Sequence, residues 1–151
     1  MLKGIDPLLT PDLLKVLAEM GHGDESVVAD ANITAASLAR GKPLIQLAGA
    51  GALRACQAVL SLLPLDVHVA QPAAFMKVCD SADGYLSALQ REVIAALSAA
   101  GELAPAQCQP MERFAFYQRV AQAYAVVHTG EQQPYANFLF KKGVIGEALR
   151  A

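Results

Sequence analysis

Two acid–base side chains stand out by their settings. His22 lies between glycines in Gly21-His22-Gly23-Asp24, and Asp30 closes the apolar run Ser26-Val27-Val28-Ala29. An imidazole titrates near neutral pH and serves as either acid or base. In open α/β sheets ligands gather outside the carboxyl ends of strands, which is where Asp30 falls. A histidine between glycines also suits an exposed loop, and an aspartate at a strand end suits a cap or turn, so the residues alone leave both readings open. A strand over residues 26–30 covers roughly 17 Å. His22 enters it and Asp30 leaves it, so the two share a site only if the fold or a second copy of the chain brings them together. Arg113 is a third candidate. It falls in the first turn of a predicted helix, where the dipole favours anions, and Tyr117 follows on the same face. A cation placed there hints at service to a ligand or a carboxylate, with a plain surface arginine as the alternative. His68 falls on the polar side of an alternating segment and reads as structural.

The elements that must position these groups follow from periodicity and punctuation. Residues 11–20 predict a helix with Thr10 as N-cap, Pro11 at the first position and Gly21 as a left-handed stop. Leu13, Leu14, Val16, Leu17 and Met20 form its buried side. Residues 31–43 read as a loop, 44–47 as a strand, and 52–63 as a helix with Leu53, Cys56, Leu60 and Leu63 on one face, stopped by Pro64. Residues 66–70 and 73–79 read as strands. Residues 80–84 read as a turn, with Asp83 as N-cap of a helix over 84–100 that Gly101 ends. Residues 105–111 are extended, a helix starts at Arg113, and strands cover 124–129 and 138–140. Lys141-Lys142 read as a solvated edge. Ala48-Gly49-Ala50-Gly51 lacks the spacing of a dinucleotide loop. This alternation predicts an α/β fold: a single layered α/β/α domain over residues 1–151, its mixed sheet covered by helices on both faces.

Composition narrows the partners. A net charge of −2 without a basic stripe argues against nucleic acid. No apolar run approaches the ~20 residues of a membrane helix, and the first residues do not resemble a signal peptide. Cys56, Cys79 and Cys108 are odd in number and widely spaced, so neither disulfides nor zinc are expected. A cytoplasmic protein is predicted. The chain is 54% hydrophobic and 17% charged, against about 25% charged in ordinary soluble domains. Surface apolar patches of that origin mark interaction surfaces, so a homo-oligomer is expected; a high alanine content contributes to the figure.

Five segments occur in an order that is specific as a set: Gly21-His22-Gly23-Asp24-Glu25, Ala29-Asp30-Ala31, Arg113-Phe114-Ala115-Phe116-Tyr117, Tyr135-Ala136-Asn137 and Lys141-Lys142-Gly143-Val144. Together with the opening Met1-Leu2-Lys3-Gly4-Ile5-Asp6-Pro7 they resemble the L-fucose mutarotase / D-ribose pyranase family. The Arg113 to Tyr117 segment is similar to the fucose branch. Two segments depart from that branch: Gln46-Leu47-Ala48-Gly49 stands where a pattern like Arg-x-Asp-Gly is usual, and Ile33-Thr34 where Phe-Pro is usual.

The resemblance implies an isomerase without cofactor or metal that interconverts the anomers of a free monosaccharide. It implies a ring-shaped homo-oligomer, commonly a decamer of stacked pentamers, with sites at subunit boundaries. Position by position, it makes His22 the general acid/base, with Asp30, Arg113 and the segment Tyr135, Ala136, Asn137 holding the sugar. Three functions remain open at this level: a mutarotase for L-fucose or a related aldose, a pyranase for a pentose such as D-ribose, and a non-catalytic sugar-binding oligomer.

Overall fold

The apolar run around Val27 and Val28 sets the architecture. Both valines are wholly buried, as a strand covered on both faces requires. In the computed structural model, which describes residues 1–146, 149 and 150, this run is β1 (Glu25–Ala29). The other elements are α1 (Pro11–Glu19), α2 (Ala35–Leu38), β2 (Leu44–Leu47), α3 (Ala52–Leu60), β3 (Ala73–Met76), α4 (Ala88–Ala99), β4 (Cys108–Met111), α5 (Arg113–Gln122), β5 (Ala125–Thr129) and β6 (Phe138–Lys141). A 3₁₀ turn over Pro105–Gln107 precedes β4. The strands form one mixed sheet in the order β2-β5-β1-β6-β3-β4. β1 runs parallel to β5 and antiparallel to β6, which is also antiparallel to β3.

Helices cover both faces, so the expected α/β/α layering holds. On one face Leu13, Val16 and Leu17 of α1 pack with Cys56 and Val59 of α3 and with Val93 and Leu97 of α4. On the other, Ala35 of α2 and Phe116 and Val120 of α5 pack against Val27, Ala29 and Leu139. Arg119 locks α5 to the sheet by a two-pronged ion pair with Glu25 on β1, its closest contact at 2.6 Å. That pairing fixes the helix that carries Arg113.

Several local expectations need correction. Residues 66–70 form a turn, not a strand: the Asp66 carboxylate accepts the His68 N–H at 2.9 Å, an Asx turn that competes with pairing. The helix expected from residue 84 begins at Ala88, because Ser87 and Gln90 form a reciprocal capping box; Asp83 instead pairs with Lys77 at 2.9 Å. The loop over residues 31–43 contains the short α2. Gly21 does not take left-handed angles. The positive φ in that loop is at Gly23, 87°, while the Gly21 N–H is held by Asp24 Oδ2 at 2.7 Å.

Lys141-Lys142 is not a solvated edge, because β6 is a central strand. The Lys142 ammonium donates to the carbonyls of Leu17 at 2.8 Å and Met20 at 2.5 Å, satisfying orphan acceptors at the end of α1. Lys42 does the same for α5, bonding the carbonyls of Val120 and Ala121; its pKa is lowered by burial. Lys142→Ala is expected to cost about 1–2 kcal/mol in urea denaturation. Lys15→Ala, whose side chain is 72% exposed, should stay within about 0.5 kcal/mol of the parent.

Candidate active site

The chain places its polar candidates at the two ends of β1. Beyond the carboxyl end, Asp30 and Asn137 are each 2% exposed, and a buried carboxylate needs every available partner. Asp30 has them. Its Oδ1 accepts the N–H groups of Asn32 at 2.9 Å and Ile33 at 3.0 Å, and its Oδ2 accepts from Asn137 Nδ2 at 2.8 Å. Asn137 Oδ1 in turn accepts the Asp30 N–H at 2.8 Å. A cavity of about 160 Å³ opens over this pair, walled also by Ile33, Met76, Arg113, Tyr117 and Tyr135. Asp30, Arg113, Tyr135 and Asn137, four residues singled out in the sequence, thus converge on one cavity. Ala136 does not line it; its methyl group is buried in the α1–α3–α4 layer. The Ile33 departure falls on the cavity wall, whereas Gln46 does not line it.

Arg113 is the first residue of α5, against the helix dipole, and Glu112 offsets the misfit. The Glu112 carboxylate caps the helix by accepting from Phe114 N at 2.9 Å and Ala115 N at 3.1 Å. The Arg113 guanidinium lies 5.2 Å from the Phe114 ring centre and 5.5 Å from that of Tyr117, within cation–π range. Tyr117 raises the Arg113 pKa, first by charge and then by hydrogen bonding. Tyr135 adopts φ of 64°, a left-handed conformation that costs a bulky residue about 1–3 kcal/mol. A hydrogen bond with Cys79, reinforced by burial, raises the Tyr135 pKa, while Arg113 works the other way. Tyr135 is therefore a neutral hydroxyl near pH 7, able to donate to a polyol.

His22 sits beyond the opposite end of β1. Its side chain is 48% exposed, and Nε2 lies 3.2 Å from Oδ2 of the buried Asp66. With Nε2 engaged, Nδ1 is the nitrogen left to meet a ligand. The ring of His68, set aside as structural from its sequence position, lies 5.8 Å from the His22 ring. Gly143 permits this assembly: a Cβ there would sit 2.5 Å from the Leu65 carbonyl oxygen and 2.8 Å from the Asp66 Cα. Asp66 was missed in the sequence. Its signal was an aspartate two residues before His68, which is Asx-turn spacing. The Asp66 pKa is lowered, chiefly by the His68 backbone N–H and then by the bond to His22. Among the described residues no group of three or more His, Cys, Asp or Glu side chains is arranged to hold a metal ion.

A larger cavity of about 530 Å³ is walled by Leu2, Leu14, Leu17, Leu62 and Ile145 and offers a polyol little to bond. The smaller polar cavity is the one with matching chemistry. A sequence model of the RbsD / FucU transport protein family matches residues 3–145. The chain belongs to this family. It is 45% identical over 149 residues to the fucose mutarotase of Bos taurus, covering 96% of this chain and 95% of the relative. Identity to the L-fucose mutarotase of Actinobacillus pleuropneumoniae serotype 5b (strain L20) is 41% over 144 residues, covering 95% and 97%. The fold superposes with a TM-score of 0.85 on the Streptococcus pneumoniae fucose mutarotase in complex with L-fucose, at 38% identity, covering 96% of this chain and 100% of the other.

The bonding pattern makes Asp30→Asn informative despite its near-identical shape. Whichever way the new amide turns, an NH₂ faces a donor, either Asn137 Nδ2 or the Asn32 and Ile33 N–H groups. A loss of about 1–3 kcal/mol in urea denaturation is expected. Asp66 gives a pH test. Its folded pKa lies below the ordinary 3.8, so its ionised form stabilises the fold above that value. The contribution fades as pH falls through the lowered pKa. Asp66→Asn should be less stable than the parent at neutral pH, and the gap should narrow in denaturation series run into the acid range.

Proposed function

We propose that this chain is a cofactor-independent sugar mutarotase that interconverts the α and β anomers of L-fucose or a closely related aldose. The observation that carries the reading is the convergence of Asp30, Arg113, Tyr135 and Asn137 on one small polar cavity. These groups offer both donors and acceptors, as a polyol requires. The likeness to fucose mutarotases over nearly the full length supports the same reading and favours L-fucose as the sugar.

The reaction is a reversible ring opening. A base takes the proton from the anomeric hydroxyl while an acid protonates the ring oxygen, and the bond from the anomeric carbon to that oxygen breaks. The aldehyde then turns, and the reverse transfers close the ring on its other face. His22 is assigned the acid/base role, with Nδ1 toward the sugar and Asp66 orienting the ring from behind. A positioned acid/base contributes about 10²–10⁴-fold.

His22 and the polar cavity lie at opposite ends of β1, so we assign a complete site to two copies of the chain. The C-terminal segment with Tyr135 and Asn137 comes from one copy and His22 from its neighbour, in a closed ring, which we take to be a decamer. Exposed apolar side chains flank each half: Val67, 78% exposed, adjoins Asp66 and His68, and Phe114, 64% exposed, adjoins Arg113. Such residues favour burial between copies. We read residues 1–151 as a single domain that supplies both halves. The three free cysteines suit the reducing cytoplasm, where we place the protein.

Saturation-transfer NMR on L-fucose tests the reading, because it reports anomer exchange at equilibrium. The wild-type chain should accelerate exchange, and His22→Ala and Tyr135→Phe should each slow it strongly. Mixed oligomers of the two variants should regain activity, since some sites then draw an intact His22 and an intact Tyr135 from different chains. Verified mixed oligomers that stay inactive would place the site within one copy. A wild-type chain that accelerates exchange of no aldose would refute the mutarotase assignment.

A further inference from the structure

Gln90, on α4, is wholly buried and does not line the polar cavity. Its acceptor end is explained locally: Oε1 accepts the Ser87 N–H at 3.0 Å, and Ser87 Oγ accepts the Gln90 N–H at 3.1 Å. A glutamate closes such a capping box as well as a glutamine does, so the helix start does not call for an amide. The donor end is the unexplained part. Gln90 Nε2 donates to the carbonyls of Met76 at 2.8 Å and of Tyr135 at 3.0 Å. A carboxamide has two N–H donors, and both are used.

The two carbonyls belong to two residues that line the cavity. Met76 ends β3, and Tyr135 precedes β6. The β3–β6 ladder closes with Met76 N–H donating to the Asn137 carbonyl at 3.1 Å. Immediately beyond, the chain leaves the sheet and Tyr135 turns left-handed, with φ of 64°. A non-glycine residue holds such angles only where its surroundings over-determine them, and the Gln90 amide grips the backbone at that point. An oxygen in place of Nε2 would face two carbonyl oxygens; an apolar side chain would leave both without this donor.

We propose that Gln90 is a positioning residue for the cavity: its carboxamide clamps the Tyr135 and Met76 carbonyls and thereby holds the Tyr135 ring on the cavity wall. The clamp stands on the hydrogen bonds alone; its effect on a ligand rests on reading the cavity as the sugar site.

The test uses the full chain, with Gln90→Glu, which keeps the acceptor for Ser87, and Gln90→Leu, which removes both ends. Backbone carbon shifts of Tyr135 report its conformation without any ligand, and L-fucose is titrated by NMR. Both variants should lose the left-handed signature at Tyr135, and L-fucose affinity should fall about tenfold. In a Tyr135→Phe background most of that further loss should vanish, because the two residues act through one group. An unchanged Tyr135 signature in a folded variant overturns the clamp. A lost signature with fully additive affinity losses overturns the route through Tyr135. If Gln90→Leu does not fold, Gln90→Glu decides. If the parent binds no L-fucose, L-fucose is excluded as the ligand, and the Tyr135 signature alone judges the clamp.

Discussion

The reciprocal pair between Asp30 and Asn137 is the constraint on which the site depends. The end of β1 and the start of β6 are far apart in sequence, and two hydrogen bonds of 2.8 Å in opposite senses join them. A buried carboxylate is costly unless fully bonded, so each remaining partner is recruited from the loop that follows β1. Asn32 and Ile33 donate to Asp30, and the Asn32 amide reaches across to the Gln132 carbonyl at 3.1 Å. The Ala31 N–H donates to the Glu131 carbonyl at 2.8 Å. The loops after β1 and β5 are thereby tied together. The floor of the cavity is a hydrogen-bonded network, and such networks hold one geometry well. A carboxylate already accepting three protein hydrogen bonds is suited to anchoring hydroxyl groups; a free base, with no such ties, would suit proton transfer better.

At the other end of the strand the design differs. His22 is half exposed and held by one carboxylate, which is itself held by a backbone N–H. Of its two ring nitrogens, Nε2 faces the Asp66 carboxylate at 3.2 Å. The loop containing Asp66 presses so closely on Gly143 that any side chain there would collide. That contact brings a carboxylate from the segment after α3 to a histidine from the segment after α1. The sheet separates the multiply bonded groups at one end from the His22–Asp66 pair at the other. Fixed partners suit recognition, and a singly tethered imidazole suits transfer in both directions.

Between the two ends, α4 links capping to site geometry. The same Gln90 side chain that closes the helix start reaches two carbonyls of the cavity wall. The wall is therefore set by the position of a helix that lines none of it.

The sequence by itself determined what local physics controls. The apolar periodicity of α1, the Thr10 cap, the β-branched run of β1 and the alternation of helices and strands all survive folding, because neighbouring residues decide them. The chemical types at Asp30, Arg113, Tyr135 and Asn137 were legible too, as was the spacing limit that keeps His22 from Asp30 across one strand. Elsewhere a local pattern misled. The alternation in residues 66–70 lost to an aspartate side chain that bonds the backbone two residues on, and Lys142, just beyond β6, meets the carbonyls of a helix far away in sequence. Only the tertiary structure could pair Asp66 with His22, set His68 beside them, join Asp30 to Asn137 and carry the Gln90 amide to Tyr135. Each of these contacts joins residues that only sheet order and helix docking bring together, and hydrogen bonds between distant segments leave no periodic trace in the chain.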